Sequence, residues 1–468
     1  MKRISHFAAY GRNLLLALHL LYAPVAMAAD PASTIVLPQE EMEKLVATYA
    51  LIKQNYVGQP DDKKLFEGAI SGMLGSLDAH SQYMDEEAMR EMDRENSGEY
   101  VGIGIEVELD NGQIKVVSST SGGPADRAGV QTGDVLVSVD GAPVTGMARS
   151  EVGRRVHGAP GSVVSLGLLR RGKMRTLQVA REALHNDTVI VRMAAPGVAW
   201  IRIAEFGGRT GAELAAALAK LGAQGAPRGL VLDLRNDPGG MVPAAVSVAG
   251  AFLEPEAVVF SARGRSPAAN AMVTVSQRYY REKDEPDVLA ALPAWTRTVP
   301  LTVLVNGASA SAAELVAGAL QDNGRATIVG SQTFGKGSIQ SVIPLDDDSG
   351  VKFTVARYFT PKGHEIQVHG VTPDVVVQAP VGADDDLLLR EADLPGHLAA
   401  QEDSADSAPV RRAPVENASM FGSSKDKALQ AAVARLAPAH QRSTDLANLI
   451  GRWRADLRPE NGGAARTP

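Results

Sequence analysis

A serine becomes a useful nucleophile only when a base stands beside it and preorganised donors wait for the oxyanion. Three stretches of the chain supply residues of these kinds. Leu301–Val305 is an apolar β-type run, Asn306-Gly307-Ala308 is a turn, and Ser309-Ala310-Ser311-Ala312-Ala313-Glu314 opens a helical pattern. A serine there is presented at the first helical turn, where unpaired N–H groups and the positive dipole end favour developing negative charge. The position alone has a plainer reading, because serine is also a preferred N-cap.

The second stretch, Gly330-Ser-Gln-Thr-Phe-Gly335-Lys336-Gly337, nearly spells a phosphate-binding loop. Gly337, however, stands where a magnesium-binding hydroxyl belongs, and Ser338 comes one residue late. A lysine between glycines can instead be drawn against neighbouring backbone and lose its water. Desolvation lowers a lysine pKa, leaving a neutral amine able to take a serine proton. The third stretch, Leu232-Asp-Leu-Arg-Asn-Asp-Pro-Gly239-Gly240, runs from a strand into a turn. Its glycines let backbone N–H groups face a ligand, so the Gly240 and Ala312 N–H groups are candidates for an oxyanion hole. A plain Asp-Pro-Gly-Gly turn is the alternative. A rival constellation is Ser-His-Asp, with His364 or His369 and Asp374, although the Gly-x-Ser-x-Gly elbow is missing.

These residues need a scaffold, and beyond Asp187 the pattern alternates between strand and helix. Strands are predicted at Leu230–Leu234, Leu301–Val305 and Thr327–Val329, with helices at Pro243–Phe252 and Ala312–Gln321. That alternation points to an α/β layer with its site at strand ends. Ala262–Thr298 is polar and irregular and reads as a surface insertion within a core spanning 185–380. Upstream, 29–97 is helical, with Leu45, Tyr49, Ile52 and Tyr56 on one face. Residues 98–184 change to short β-type runs between Gly, Pro and Asp turns, a small β-rich module. Residues 381–424 read as a flexible linker. In the tail, 425–468, two helices follow, one with Leu429, Ala432, Val433 and Leu436 on a face, the other with Leu446, Leu449, Ile450 and Trp453. They pack on their own domain, or they contact another copy of the chain or an adaptor protein.

Composition narrows the function classes. With 468 residues and 45% hydrophobic content the chain can build two or three cores. A net charge of -7 with intermixed signs gives no broad positive field for nucleic acid. The absence of cysteine excludes a thiol nucleophile and a cysteine zinc site, and no His-Glu-x-x-His segment occurs. Neither a metal nor a cofactor is expected. Lys2, Arg3 and Arg12 precede the apolar run Leu14–Ala23, and Ala26-Met27-Ala28 offers a cleavage site. Residues 1–28 are therefore expected to be a signal peptide cleaved after Ala28, giving an exported, periplasmic product.

The run Val305–Asp322, then Thr333-Phe-Gly-Lys-Gly-Ser-Ile-Gln340, then Ala356–Pro361 and Val371–Asp374, resembles the carboxyl-terminal processing peptidases, family S41. The resemblance implies a crotonase- or ClpP-like α/β protease core in an α+β multidomain chain. It also implies a serine endopeptidase in which Ser311 is the nucleophile, Lys336 the base and Gln340 the holder of its amine. The spacing, 336 minus 311, is the family's 25 residues, whereas Ser309 would give 27. The Leu77-Asp-Ala-His-Ser81 stretch resembles a family signature as well. Residues 98–184 resemble a PDZ domain, with Val101, Gly102, Ile103, Gly104 and Ile105 as the loop and strand that receive a peptide tail. Polypeptides with accessible C-termini are thus the expected partners. Relatives often carry serine at Ala313, proline at Ala79, asparagine at Asp237 and arginine at His157. An inert PDZ scaffold is the remaining reading, against which stands the presence of every catalytic residue type.

Overall fold

The computed structural model describes residues 37–97, 99–110, 113–120, 122–147, 149–185, 187–283, 285–377, 388–401, 413 and 418–436. The expected signal peptide and the second tail helix lie outside them. The chain divides into two compact units, one of them Arg90–Asp187 and the other formed by the rest.

In the larger unit the strands are, in chain order, β1 (Gln82–Met84), β2 (Val189–Ala195), β3 (Val198–Ile203), β4 (Gly229–Asp233), β5 (Val258–Gly264) and β6 (Ala271–Thr274). They continue with β7 (Leu301–Val305), β8 (Thr327–Gly330), β9 (Ser338–Pro344), β10 (Gly350–Phe359) and β11 (Val375–Val376). One sheet has the order β2-β3-β4-β7-β8-β11, parallel throughout except where β2 meets β3. Its inner strands are mostly apolar, as expected for a parallel sheet covered on both faces. Alternation sorts their side chains. Leu230, Leu232, Val303, Val305 and Ile328 join the core that holds helices Thr210–Ala223, Val242–Gly250 and Ala312–Asp322. Val231, Leu304 and Val329 point the other way, onto Leu429 and Ala432 of helix Lys427–Arg435. The first tail helix therefore packs on its own domain.

A second sheet has the order β1-β10-β5-β6, with β9 along the free edge of β10. Helix Asp62–Gly75 is capped by Asp61, whose carboxylate accepts the Lys64 N–H at 3.2 Å. Helix Gln39–Asn55 buries no residue; Tyr49 meets the Phe66 ring, while Leu45 and Tyr56 stay exposed.

Two expectations need correction. Ala262–Thr298 is not a surface insertion laid over a finished core: it contains β6 and buries Val273, Val275, Tyr279 and Leu289 in the main core. Its apolar residues are spaced too irregularly to signal burial. Nor is 388–401 a free linker. Arg390 and Glu391 are wholly buried, the Leu388 N–H bonds Ala413 O at 2.9 Å, and the Glu391 N–H bonds Phe334 O at 3.2 Å. Charge there is compensated by partners distant in sequence, which composition does not reveal.

Helix Lys427–Arg435 is fastened by a buried charge cluster. Arg235, 2% exposed, bonds Asp233 and, through both terminal nitrogens, Asp426 at 3.0 and 2.6 Å. Its guanidinium also lies 3.9 Å from the Phe421 ring centroid. Burial alone would push the Asp426 carboxyl up, but Arg235 and two backbone N–H groups hold it below its ordinary value.

The smaller unit is a five-stranded antiparallel sheet, in the order Ile105–Asp110, Gln113–Ser119, Val135–Val139, Val163–Arg170, Lys173–Ala180, with Ala142–Pro143 beside the third. Its core gathers Ile103, Val116, Leu136, Val164, Leu166 and Leu168 with Val152 and Val156 of helix Arg149–Val156.

Removing one partner of a buried, hydrogen-bonded pair typically costs about 3–5 kcal/mol because the other charge is stranded. Asp426→Ala is expected to lower unfolding free energy in urea by that order. A change below about 0.5 kcal/mol would mean that Arg235 does not depend on this partner.

Candidate active site

β4, β7 and β8 are immediate neighbours in the parallel sheet, and each delivers one chemical element at its carboxyl end. β4 runs into Arg235–Gly240, β7 into Asn306–Ser311, and β8 into Ser331–Lys336. The serine thus comes from the middle strand, flanked by the glycine turn on one side and the lysine loop on the other.

The two serines have different surroundings. Ser309 is wholly buried; its Oγ donates to Leu234 O at 2.7 Å and accepts the Asn306 N–H at 2.9 Å. Ser311 is partly exposed and takes φ 52° and ψ −114° immediately before helix Ala312–Asp322. Such a backbone costs on the order of 1–3 kcal/mol in a non-glycine residue and persists only when its surroundings enforce it. Asn236 (φ 53°) in the glycine turn and Val368 (φ 69°) beside the lysine loop are strained in the same sense. Val368 is the more telling, since β-branched residues rarely tolerate positive φ.

Glycine is obligatory where these segments meet. A Cβ on Gly239 would stand 2.8 Å from both Ser311 Cβ and Ala312 N. On Gly335 it would meet Val368 O at 2.7 Å, and the Val368 N–H donates to Gly335 O at 2.8 Å. Among the described residues, neither the Gly240 N–H nor the Ala312 N–H has a hydrogen-bond acceptor. Asp237 braces the turn: Oδ1 accepts the Gly239 N–H at 2.8 Å and its carbonyl accepts the Ala310 N–H at 2.9 Å. Burial raises the Asp237 carboxyl well above its ordinary value, against the pull of the Gly239 N–H and of Arg202.

Lys336 is largely buried. Desolvation lowers its pKa and Lys352 adds to the effect, while Glu391 and Glu314 pull the other way. No hydrogen bond joins its Nζ to Ser311 among the described residues. Gln340 donates to Ser338 Oγ at 2.9 Å and Thr354 Oγ1 at 3.1 Å, and not to the lysine. The histidines are not assembled with an acid: Asp374 accepts from Gln321 Nε2 and from the Ile328 N–H, and among the described residues neither His364 nor His369 bonds it or Ser311.

Glu314 is the residue that sequence reasoning left without a role. Wholly buried, its Oε2 accepts the N–H of Ser311 at 2.8 Å and the N–H of Lys336 at 2.9 Å. Both bonds end on one oxygen, so the two backbone nitrogens are no farther apart than the sum of those lengths. Oε1 accepts from Thr333 Oγ1 at 2.5 Å and the Gly335 N–H at 2.7 Å. Burial pushes its carboxyl up to about 7 against the pull of these bonds. The available signal was the Ser311-x-x-Glu314 spacing of a capping box.

Family models match along most of the chain: "Activating protease CtpB N-terminal domain" over 23–88, "PDZ domain" over 101–180 and "Peptidase family S41" over 197–377. A carboxy-terminal-processing protease of Bartonella bacilliformis is 39% identical over 361 residues, 75% of this chain and 79% of that one. The chain belongs to peptidase family S41. The carboxy-terminal processing protease CtpA of Bacillus subtilis is 35% identical, covering 73% of this chain and 70% of its own. Among solved structures, a photosystem II D1 C-terminal processing protease is 30% identical over 72% of this chain and 93% of that one, with a TM-score of 0.42. The S41 peptidase is accordingly a serine peptidase with a PDZ domain.

Gln in place of Glu314 keeps the shape but puts an amide where acceptors are needed, stranding buried donors at about 1–3 kcal/mol each. Glu314→Gln is expected to lower kcat at least about ten-fold with little change in KM. Linkage gives an independent reading. The folded carboxyl, at about 7, holds its proton more tightly than the unfolded group near 4.5. Its contribution to stability is therefore complete below about 4.5 and lost as pH rises through about 7. Denaturation across that window should show a falling trend that Glu314→Gln flattens; an unaltered slope would count against the assignment.

Proposed function

We propose that the S41 peptidase cleaves exported polypeptides with a Ser311–Lys336 dyad and receives their C-terminal tails through its PDZ domain. One observation carries the reading: the backbones of the strained, partly exposed serine and the desolvated lysine hang from a single buried oxygen of Glu314. Neutral Lys336 takes the Ser311 proton as Oγ attacks the scissile carbonyl. The Gly240 and Ala312 N–H groups hold the oxyanion. Lys336 then returns the proton to the leaving amine, and water, activated by the same amine, hydrolyses the ester. In the working state the Gln340 carbonyl, its amide nitrogen anchored by Ser338 and Thr354, accepts from the lysine amine. No metal or cofactor takes part.

Tail capture is supported by the geometry of the smaller unit. Ile105–Asp110 is an edge strand of its sheet, and among the described residues the Ile103 and Gly104 N–H groups carry no hydrogen bond. A groove of about 60 Å³ beside them is lined by Ile103, Ile105, Val107, Val152, Val156 and His157. An incoming tail adds a strand to this edge, places its carboxylate on the free N–H groups of Ile103 and Gly104, and sinks its last side chain into the aliphatic groove. Burial lowers the His157 pKa, so the ring is neutral at pH 7. The exposed apolar residues of the first two helices, among them Leu51 and Phe66, are a contact face for a second copy or an adaptor.

Ser311→Ala and Lys336→Ala should each reduce cleavage of an unfolded protein by about a thousand-fold or more, whereas His364→Gln with His369→Gln should leave most of it. Because the base must be neutral, the wild-type rate should rise with pH through a lysine pKa below 10.5. Equal cleavage by wild type and both dyad variants would falsify the assignment. For the helical face, Leu51→Glu with Phe66→Glu should reduce the sedimentation coefficient if copies meet there, and an unchanged value in a self-associating protein rules that contact out.

A further inference from the structure

β10 is paired unevenly. On one edge β9 follows it from Gly350 to Arg357. On the other, β1 covers Gly350–Lys352 and β5 covers Ala356–Phe359, leaving 353–355 in a gap between two partners. A recess of about 330 Å³ opens at this gap, lined by Arg263, Arg265, Thr354, Arg357, Leu398 and Gln401 among others.

The lining has an excess of cations. Arg357 bonds Glu365 Oε1 and Ala399 O, both at 2.6 Å, so its charge is answered. Arg263 lies 4.2 Å from the Phe359 ring centroid, and the stacked ring fixes its guanidinium without neutralising it. Arg265 is exposed. Among the described residues no carboxylate pairs with Arg263 or Arg265. The recess also touches the catalytic region, for Thr354 accepts the Gln340 amide and β9 begins at Ser338, just beyond Lys336.

We propose that this recess is a substrate subsite that holds the carboxylate of an aspartate or glutamate in the polypeptide being cleaved, on the reading that Ser311 and Lys336 cleave it. Planar guanidinium groups recognise carboxylates through paired N–H donors. A recess of this size, on a chain of net charge -7, suits one acidic side chain rather than a nucleic acid or a membrane, which need an extended positive surface.

The test uses peptides that share one free C-terminal sequence, so that PDZ capture is constant, with a single Glu moved from the second to the fifth position on either side of the cleaved bond. Each has a Gln counterpart, and the Glu-to-Gln ratio of kcat/KM is the reading. Wild type is expected to favour Glu about three- to ten-fold at one position, chiefly through KM. Arg263→Gln with Arg265→Gln should bring that ratio to about one, and Arg265→Glu should move the preference to a Lys peptide. A wild-type ratio near one at every position overturns the subsite, as does a double variant that keeps the preference. Failure of the dyad shows separately, as continued cleavage of the Gln peptides by Ser311→Ala.

Discussion

The geometry of the site depends on one buried carboxylate. Parallel pairing of β4, β7 and β8 brings three strand ends side by side, but strand spacing fixes position only to a few ångströms. Glu314 supplies the finer constraint, because its oxygens accept from Ser311, Thr333, Gly335 and Lys336. A carboxyl removed from water is tolerated only when donors replace the water, so Glu314 and the two loops around it require one another. Loss of either loop would leave an unpaired acid inside the core.

The strand-to-helix signals around Ser311 were legible because they are local: Leu301–Val305 is apolar but for Thr302, and helix Ala312–Asp322 begins where the periodicity does. Choosing Ser311 over Ser309 rested on spacing, and the surroundings separate them again, since the Ser309 hydroxyl is consumed by Leu234 and Asn306. The role of Glu314 was not legible. A capping box announces only the bond to Ser311, whereas the partners that matter lie beyond it in sequence, at Thr333 to Lys336. The same limit explains 388–401. Arg390 and Glu391 look like solvated linker charges until Thr333 O, Gln367 and His80 are seen to bind them.

Strain at Ser311, Asn236 and Val368 follows from this crowding. Each lies where a loop from one strand end must pass within contact distance of another, and glycines at 239 and 335 relieve only one side of each crossing. The opposite face of the sheet bears on the same point. Arg235 follows β4 by two residues and opens the glycine turn, and its anchorage to Asp426 ties that turn to a helix almost two hundred residues later.

A lysine pKa lowered in spite of nearby carboxylates is easier to sustain when those carboxylates have other partners. Glu314 and Glu391 both act to raise the Lys336 pKa, yet burial and Lys352 outweigh them. Glu314 spends its acceptors on three main-chain N–H groups and a hydroxyl, and Glu391 on His80 and Gln367. Neither needs the ammonium as a partner. Segments that sequence presents as separate, the Leu-Asp-Ala-His-Ser stretch at one end and Leu388–Gln401 at the other, thus meet beside the lysine loop: His80 bonds Glu391, whose N–H bonds Phe334 O.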